Sequence, residues 1–407
     1  MKKRTYSKNP APSSLNKTWS RKKREVKKTE KSTLAEKTRN TRLAAFLIGV
    51  VVLFIVIQMI ENKCLIEGEE AISYYKGVVQ TVLSDNSKPD ESTEGVRRGT
   101  QELEVRITNG PYKDTVVNIK NYMSALYNVY GNEGTRLIIR ATMYEDGPNF
   151  TIYNYDRSFL LYGVILLFVA LLAVIGGKKG IMALISLGFT MIVVFKILLP
   201  LLIIGYPALL ATIAIIIITT LFSFIMIDGI NKKTVTASIG TLAGVLFAGF
   251  LSWGAGIVGH VSGFQMQEAE SLLLIAGNHG MKVKDLLICG ILIASLGAVM
   301  DVAMSIASSV HELHEVNQKM TANELFRSGM NIGKDAMGTM ANTLILAFTG
   351  SSLNLLLMIY SYGISYTQLI STDIIAIEII RGIAGSIGIV LTVPAVAFLS
   401  SFIETRR

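Results

Sequence analysis

Cysteine is all but missing. Cys64 and Cys289 are the two in 407 residues, too few for a disulfide framework or a thiolate metal centre. Cys64 follows "IENK", without the small residues that precede a lipidated cysteine, so no lipid anchor is expected there. Of the four histidines, His311 and His314 stand in "HELHE". That spacing is not H-E-x-x-H, and a polar cytoplasmic surface is the expected use. No G-x-x-x-x-G-K-[ST] loop and no nucleophile elbow occurs. The chain is therefore expected not to be an enzyme, and no catalytic residue, metal or cofactor is assigned. Charged residues are scarce too, at 17% against 51% hydrophobic.

The apolar residues come in blocks of about 20, the length that crosses about 30 Å of hydrocarbon. Blocks fall at 43–60, 158–175, 181–200, 208–227, 236–257, 286–307, 337–359 and 382–403. The expected fold is an α-helical polytopic membrane protein of about eight transmembrane helices. The net charge of +9 has one source: residues 1–42 hold 15 Lys and Arg against three Glu. Such a tail could bind nucleic acid. Because it abuts the first apolar block, it reads instead as a disordered cytoplasmic arm near anionic lipid, and no nucleic acid is expected. With this arm inside, "GGKKG" (176–180), "DGINKKT" (228–234), the 311–335 stretch and the terminal "ETRR" all fall inside, each with Lys or Arg. Both termini are then cytoplasmic, and the expected location is a bacterial cell membrane. The connections at 196–207, 260–280 and 366–381 mix apolar and turn residues and read as re-entrant or interfacial.

Between the first two blocks the pattern changes. "AISYYKGVVQTVLS", "QELEVRITNG", "KDTVVNIKN", "GTRLIIRATMYEDG" and "NFTIYNYDR" alternate apolar and polar residues. Leu103, Val105 and Ile107 share one face, as do Leu137, Ile139, Ala141 and Met143. Residues 61–157 are expected to form a small extracytoplasmic β-barrel or sandwich, possessing about five strands and an OB-like character. The domains expected are thus the arm at 1–42, an anchor at 43–60, the β-domain at 61–157 and a seven-helix membrane domain at 158–407.

"GAVMDVAMSIASS" (297–309) puts a carboxylate inside an apolar run. Gly290, Ala294, Gly297, Asp301, Ser305 and Ser308 recur every three or four residues, so they share a helix face. Within hydrocarbon that face is expected to meet protein, not lipid. In 333–352, Asp335, Gly338 and Asn342 share a face, with Thr339 and Thr343 beside it. Chain direction reverses between the two blocks, so Asp301 and Asn342 are expected at similar depth. The leading reading is an ion or solute pathway lined by Asp301, Ser305, Ser308, Asp335, Thr339, Asn342 and Thr343, in an ion- or proton-coupled transporter or channel. The competing structural use is a helix cap or interhelical bond at Asp301 and Asn342. Gly240 and Gly244 form G-x-x-x-G, and with Gly290, Gly297 and Gly338 they are expected to serve close helix packing. Glu378 and Arg381 are i,i+3 neighbours suited to pairing. The partners these features allow are the bilayer, an inorganic cation or small solute, and a second copy of the chain.

"LGAVMDVAMSIASSVHEL" followed by "SGMNIGKDAMGTMANTLILAFTGSSLNLLLM" resembles the YibE/F-like bacterial membrane proteins. "GGKKGIMALISLGFTMIVVF", "DGINKKTVTASIGTLAG" and "YNYDR" fit the same pattern. The resemblance covers about residues 70–405 and leaves the basic arm outside. It implies an extracytoplasmic β-domain followed by a helical bundle, and brings no settled substrate or reaction. The large β-domain also supports a second reading, a non-transporting scaffold or sensor that binds an envelope partner or ligand there.

Overall fold

The computed structural model describes residues 72–266 and 269–406. The basic arm, the apolar block at 43–60 and Cys64 lie outside the described residues. The described chain divides into two compact units, one ending at Gly176 and the other beginning at Gly177.

The first unit is built on strands β1 (Ile72–Asp85), β2 (Lys88–Pro89), β3 (Arg97–Ile107), β4 (Val116–Met123), β5 (Arg136–Tyr144) and β6 (Gly147–Tyr155). They form one antiparallel sheet in the order β2-β3-β1-β5-β6, with β4 also on β3. Edge strands β4 and β6 approach each other without a ladder between them, so the sheet is a half-barrel. A sandwich was the other expected form; among the described residues there is no second sheet. Alternation explains the core. Leu103, Val105, Ile107, Leu137 and Ile139 are buried around Val79 and Ile119. Met143, expected on the same face, lies at the strand end and is exposed.

Gly77 sits at the crossing, paired with Ile107 on one side and Leu137 on the other. A Cβ there would lie 2.4 Å from Ile139 Cδ1 and 2.8 Å from Val105 Cγ1, so only glycine lets the inner faces close. The segment between β4 and β5 is tied to the sheet by buried amides. Gln101 Nε2 donates to the Gly131 carbonyl at 3.2 Å, and Gly131 N–H donates to Gln101 Oε1 at 3.0 Å. Asn121 Nδ2 donates to the Val129 carbonyl at 2.7 Å.

Helix α1 (Ser158–Val193) is interrupted at Gly177, with φ 54° and ψ −135°. A side chain would be strained in that conformation, and glycine takes it freely. The basic "GGKKG" segment therefore separates two helical stretches, as expected, through a break at one glycine and not an extended loop. Residues 159–171 are exposed at every position although nearly all are apolar.

The second unit continues from Gly177. A π-turn (Val194–Leu198) leads into α2 (Leu199–Ile203), followed by α3 (Ala208–Asp228), α4 (Lys232–Val258), α5 (Ala269–His279), α6 (Leu286–Val316), α7 (Ala322–Ser351), α8 (Leu353–Ser361), α9 (Tyr366–Ile370) and α10 (Asp373–Thr405). Asn231 caps α4 by accepting from Thr234 N–H at 2.8 Å. Thr321 and Glu324 form a reciprocal capping box on α7.

Five helices are long and apolar enough to cross a membrane, and the bent pair α7–α8 makes a sixth. The first of these, Ser158–Ile203, holds 46 residues and contains both blocks expected at 158–175 and 181–200. At 1.5 Å per residue it is about twice the length one bilayer core requires. The block expected at 337–359 is not one straight helix, because α7 and α8 meet at 61°. Seven spans expected after residue 157 thus fall on six such helices or pairs. Residues 373–381, expected in a connection, form the first turns of α10. Helix α5, within the 260–280 connection, has 11 residues, too short to span.

Helices α6 and α10 form the centre of the bundle, with α4 packed on both and α7 packed on both. The core runs through Val245, Leu292, Val299, Val302, Ile306, Val310, Ile389, Val393 and Val396. Phe189, Val193, Ala208, Ile215, Phe222 and Cys289 make a second cluster. Glycine sets the α4–α10 approach. A Cβ on Gly240 would lie 2.1 Å from Val396 Cγ2, and one on Gly244 would lie 1.8 Å from Thr392 Oγ1 and 3.0 Å from the Gly388 carbonyl.

Candidate functional site

The candidate site lies on α6 and α7. Large apolar side chains decide which face of α6 turns inward: Leu292, Leu296, Val299, Val302, Ile306 and Val310 are buried. The small and polar positions lie opposite. Gly290, Ala294, Gly297, Asp301 and Ser305 are all exposed, and Ser308 is half-buried. On α7 the buried stripe is narrow, at Leu325, Gly329, Gly333 and Leu344. Asp335, Gly338, Thr339, Asn342 and Thr343 are exposed.

The face expected to meet protein is therefore open among the described residues. Periodicity groups the small residues, but packing volume belongs to the branched ones, and these took the interior. Cβ atoms on Gly290, Gly297 or Gly338 would meet nothing within 4 Å. Among the described residues those three glycines mediate no close packing, contrary to expectation, whereas Gly240 and Gly244 lie against α10.

The relative heights of the two stripes follow from the glycines that do pack. A Cβ on Gly329 would meet Val310, and one on Gly333 would meet Ile306. Gly385 of α10 faces both Leu344 and Ser295. The three matches 310/329, 306/333 and 295/344 describe one antiparallel register. It puts Asp301 level with Gly338, and Asn342 one helical turn away, about 6 Å along the axis. Asp335 and Thr339 bracket the level of Asp301.

The hydroxyls are locally satisfied. Thr339 Oγ1 donates to the Ala336 carbonyl at 3.0 Å and Thr343 Oγ1 to the Thr339 carbonyl at 2.9 Å. Ser308 Oγ lies 3.9 Å from Met304 Sδ, and the Ser305 carbonyl accepts from Ser309 Oγ at 2.8 Å. Each hydroxyl keeps lone pairs free for a ligand. Among the described residues, Asp301, Asp335 and Asn342 side chains make no hydrogen bond or ion pair. The stripe could thus offer carboxylate, amide and hydroxyl oxygens to a hydrated cation or proton carrier. Among the described residues, no group of three or more His, Cys, Asp and Glu is placed to hold a metal.

Polar chemistry that sequence reasoning missed lies at another end of the bundle. His311 Nδ1 is 2.8 Å from Glu404 Oε1, joining residues 93 apart. Lys232 Nζ donates to the Ile403 carbonyl at 3.0 Å and lies 4.0 Å from Glu404 Oε2. Lys233 pairs with Asp228 at 3.2 Å. These contacts join the ends of α4, α6 and α10. The "HELHE" pair is therefore not purely a solvated face. Glu378 and Arg381 do meet, at 3.0 Å.

No curated protein and no solved structure matches the chain. A family model described as YibE/F-like protein matches residues 164–406. The match covers the candidate stripes and all of α2 to α10, and leaves the β-sheet outside, although the sequence resemblance had reached to about residue 70. A match over more than half of the chain, spanning both stripes and the helices that hold them, establishes that the chain belongs to the YibE/F-like family.

Proposed function

We propose that the protein is a multi-pass membrane protein that conducts or transports a cation or small solute, with its pathway along the open faces of α6 and α7. The observation that carries this reading is the matched pair of stripes: Asp301 and Ser305 on one helix, Asp335, Thr339, Asn342 and Thr343 on the next, exposed at overlapping heights. Helix α6 is otherwise long and apolar, and α7 is so when taken together with α8. A carboxylate facing hydrocarbon costs about 3 kcal/mol or more, and carboxylates inside bilayers face protein or water. The stripes therefore suit one wall of a wet passage, whose opposite wall would come from self-association. Asp301 would bind the cation or relay a proton, and Asn342 and the threonines would replace part of its hydration. The basic arm would sit on the cytoplasmic side against anionic lipid, with the C-terminus on that side too.

The test is ion and proton flux in proteoliposomes across several cations and pH gradients. Wild type is expected to conduct, and Asp301→Asn to fall at least about tenfold, the change produced by about 1.4 kcal/mol at a binding or barrier step. Equal flux from the two folded proteins would remove Asp301 from the pathway. A silent wild type would favour the second reading, a scaffold or sensor acting through the β half-barrel. That reading is supported by the exposed tyrosines Tyr74, Tyr122, Tyr127, Tyr144 and Tyr153 of the first unit, since exposed aromatics often serve binding.

A further inference from the structure

The 61° bend between α7 and α8 leaves a cavity of about 350 Å³ walled by α7, α8, α9 and α10. Its lining is apolar, with Ile345, Phe348, Leu356, Ile379 and Ile383 among the wall residues. Ile345, Ile379 and Ile383 are also exposed, so the cavity opens sideways from the bundle. Glu378 is the one charged residue in the wall. Its Oε1 accepts from Arg381 Nη1 at 3.0 Å. Its Oε2 is buried and has no hydrogen-bond partner among the described residues. Thr349 Oγ1, also in the wall, is engaged elsewhere, donating to the Ile345 carbonyl at 2.8 Å.

A buried carboxylate oxygen without a donor is costly, and a donor that is itself charged relieves it best. The volume is that of a small-molecule site. We propose that this cavity binds an amphiphile with a primary ammonium group, its hydrocarbon against Phe348, Leu356, Ile379 and Ile383 and its ammonium donating to Glu378 Oε2. Arg381 holds the carboxylate in place from the other oxygen. An anionic amphiphile is excluded by the same carboxylate. The ammonium could belong to a free lipophilic amine or to an aminophospholipid entering from the side.

The experiment measures binding of dodecylamine, dodecanol and dodecanoate to the full-length protein in uncharged detergent, with the same micelles without protein as the blank. Native mass spectrometry compares retention of phosphatidylethanolamine with phosphatidylcholine, whose trimethylammonium has no N–H to donate. Dodecylamine is expected to bind at least about tenfold tighter than dodecanoate. Glu378→Gln, which keeps an acceptor for Arg381, is expected to weaken dodecylamine about tenfold and leave dodecanol unchanged, since the charge on the acceptor supplies the difference. Gly382→Leu fills the space: a Cβ there meets only Phe348, at 3.9 Å, so this variant should fold and lose both ligands. Preferential retention of phosphatidylethanolamine that depends on Glu378 identifies the lipid as the source. Dodecylamine binding without that preference identifies a free amine. Dodecylamine bound equally by wild type, Glu378→Gln and Gly382→Leu, or no better than dodecanoate, would overturn the assignment. If Glu378→Gln fails to fold, Gly382→Leu alone decides.

Discussion

Two aspartates show what surroundings do to a carboxylate. Asp85, at the end of β1, accepts from Ser87 Oγ at 2.6 Å and Ser87 N–H at 2.8 Å. Tyr130 OH donates to its other oxygen at 2.8 Å. The Ser87 bonds, assisted by Tyr130 and Gln101, hold the Asp85 carboxyl at about 2, below the ordinary 3.8. A lowered value means the folded state prefers the ionised group. The stability it contributes is fully present above the ordinary value and is lost as pH falls toward about 2. Thermal melting of the sheet in acid is expected to weaken over that window. In Ser87→Ala the folded value moves back toward 3.8, so the acid weakening should be smaller and complete at higher pH, and identical acid profiles for the two proteins would refute the role of Ser87. None of this was visible in the sequence, because the Tyr130 bond joins residues 45 apart. Asp301 is the opposite case. Its position on a small, polar face was legible from spacing alone, yet that face lies open, because spacing says which residues stand together and not which side a neighbouring helix takes.

At the scale of elements, glycine marks which contacts are internal. Gly244 sits against Thr392 and Gly388, while Gly297 faces open space. Gly244→Leu is expected to cost at least about 1–3 kcal/mol by forcing α4 from α10. Gly297→Leu should stay within about 0.5 kcal/mol of wild type. Melting curves of the two variants in detergent check this, and equal losses would mean that α6 is packed where the structure leaves it free. The strands were the most legible elements. The alternation of Leu103, Val105 and Ile107 placed β3 and its buried face correctly, and the turn signal at "EDGPN" falls between β5 and β6. The half-barrel was less legible, since closure depends on which edges meet. Helix ends were least legible. Hydrophobicity located 158–175 and 181–200 as blocks, but only backbone geometry shows that they are separated by a break at Gly177 and not by an extended loop. The bend at Ser352 falls at "TGSS" (349–352), a polar interruption of the apolar block that the sequence reading passed over.

At the scale of the whole molecule, one family-defining bundle carries both polar stripes, and a separate half-barrel precedes the region that the family model covers. For the bundle, the account turns on whether the open faces of α6 and α7 are wet. The measurement is the rate at which a charged, water-borne thiol reagent modifies Ser305→Cys, Asn342→Cys and Phe250→Cys in membrane vesicles, each made with Cys64→Ser and Cys289→Ser. Phe250 is an exposed apolar residue on α4. A thiol must ionise in water to react. The account predicts rapid modification at 305 and 342 and none at 250. Positions 305 and 342 as inert as 250 would contradict it.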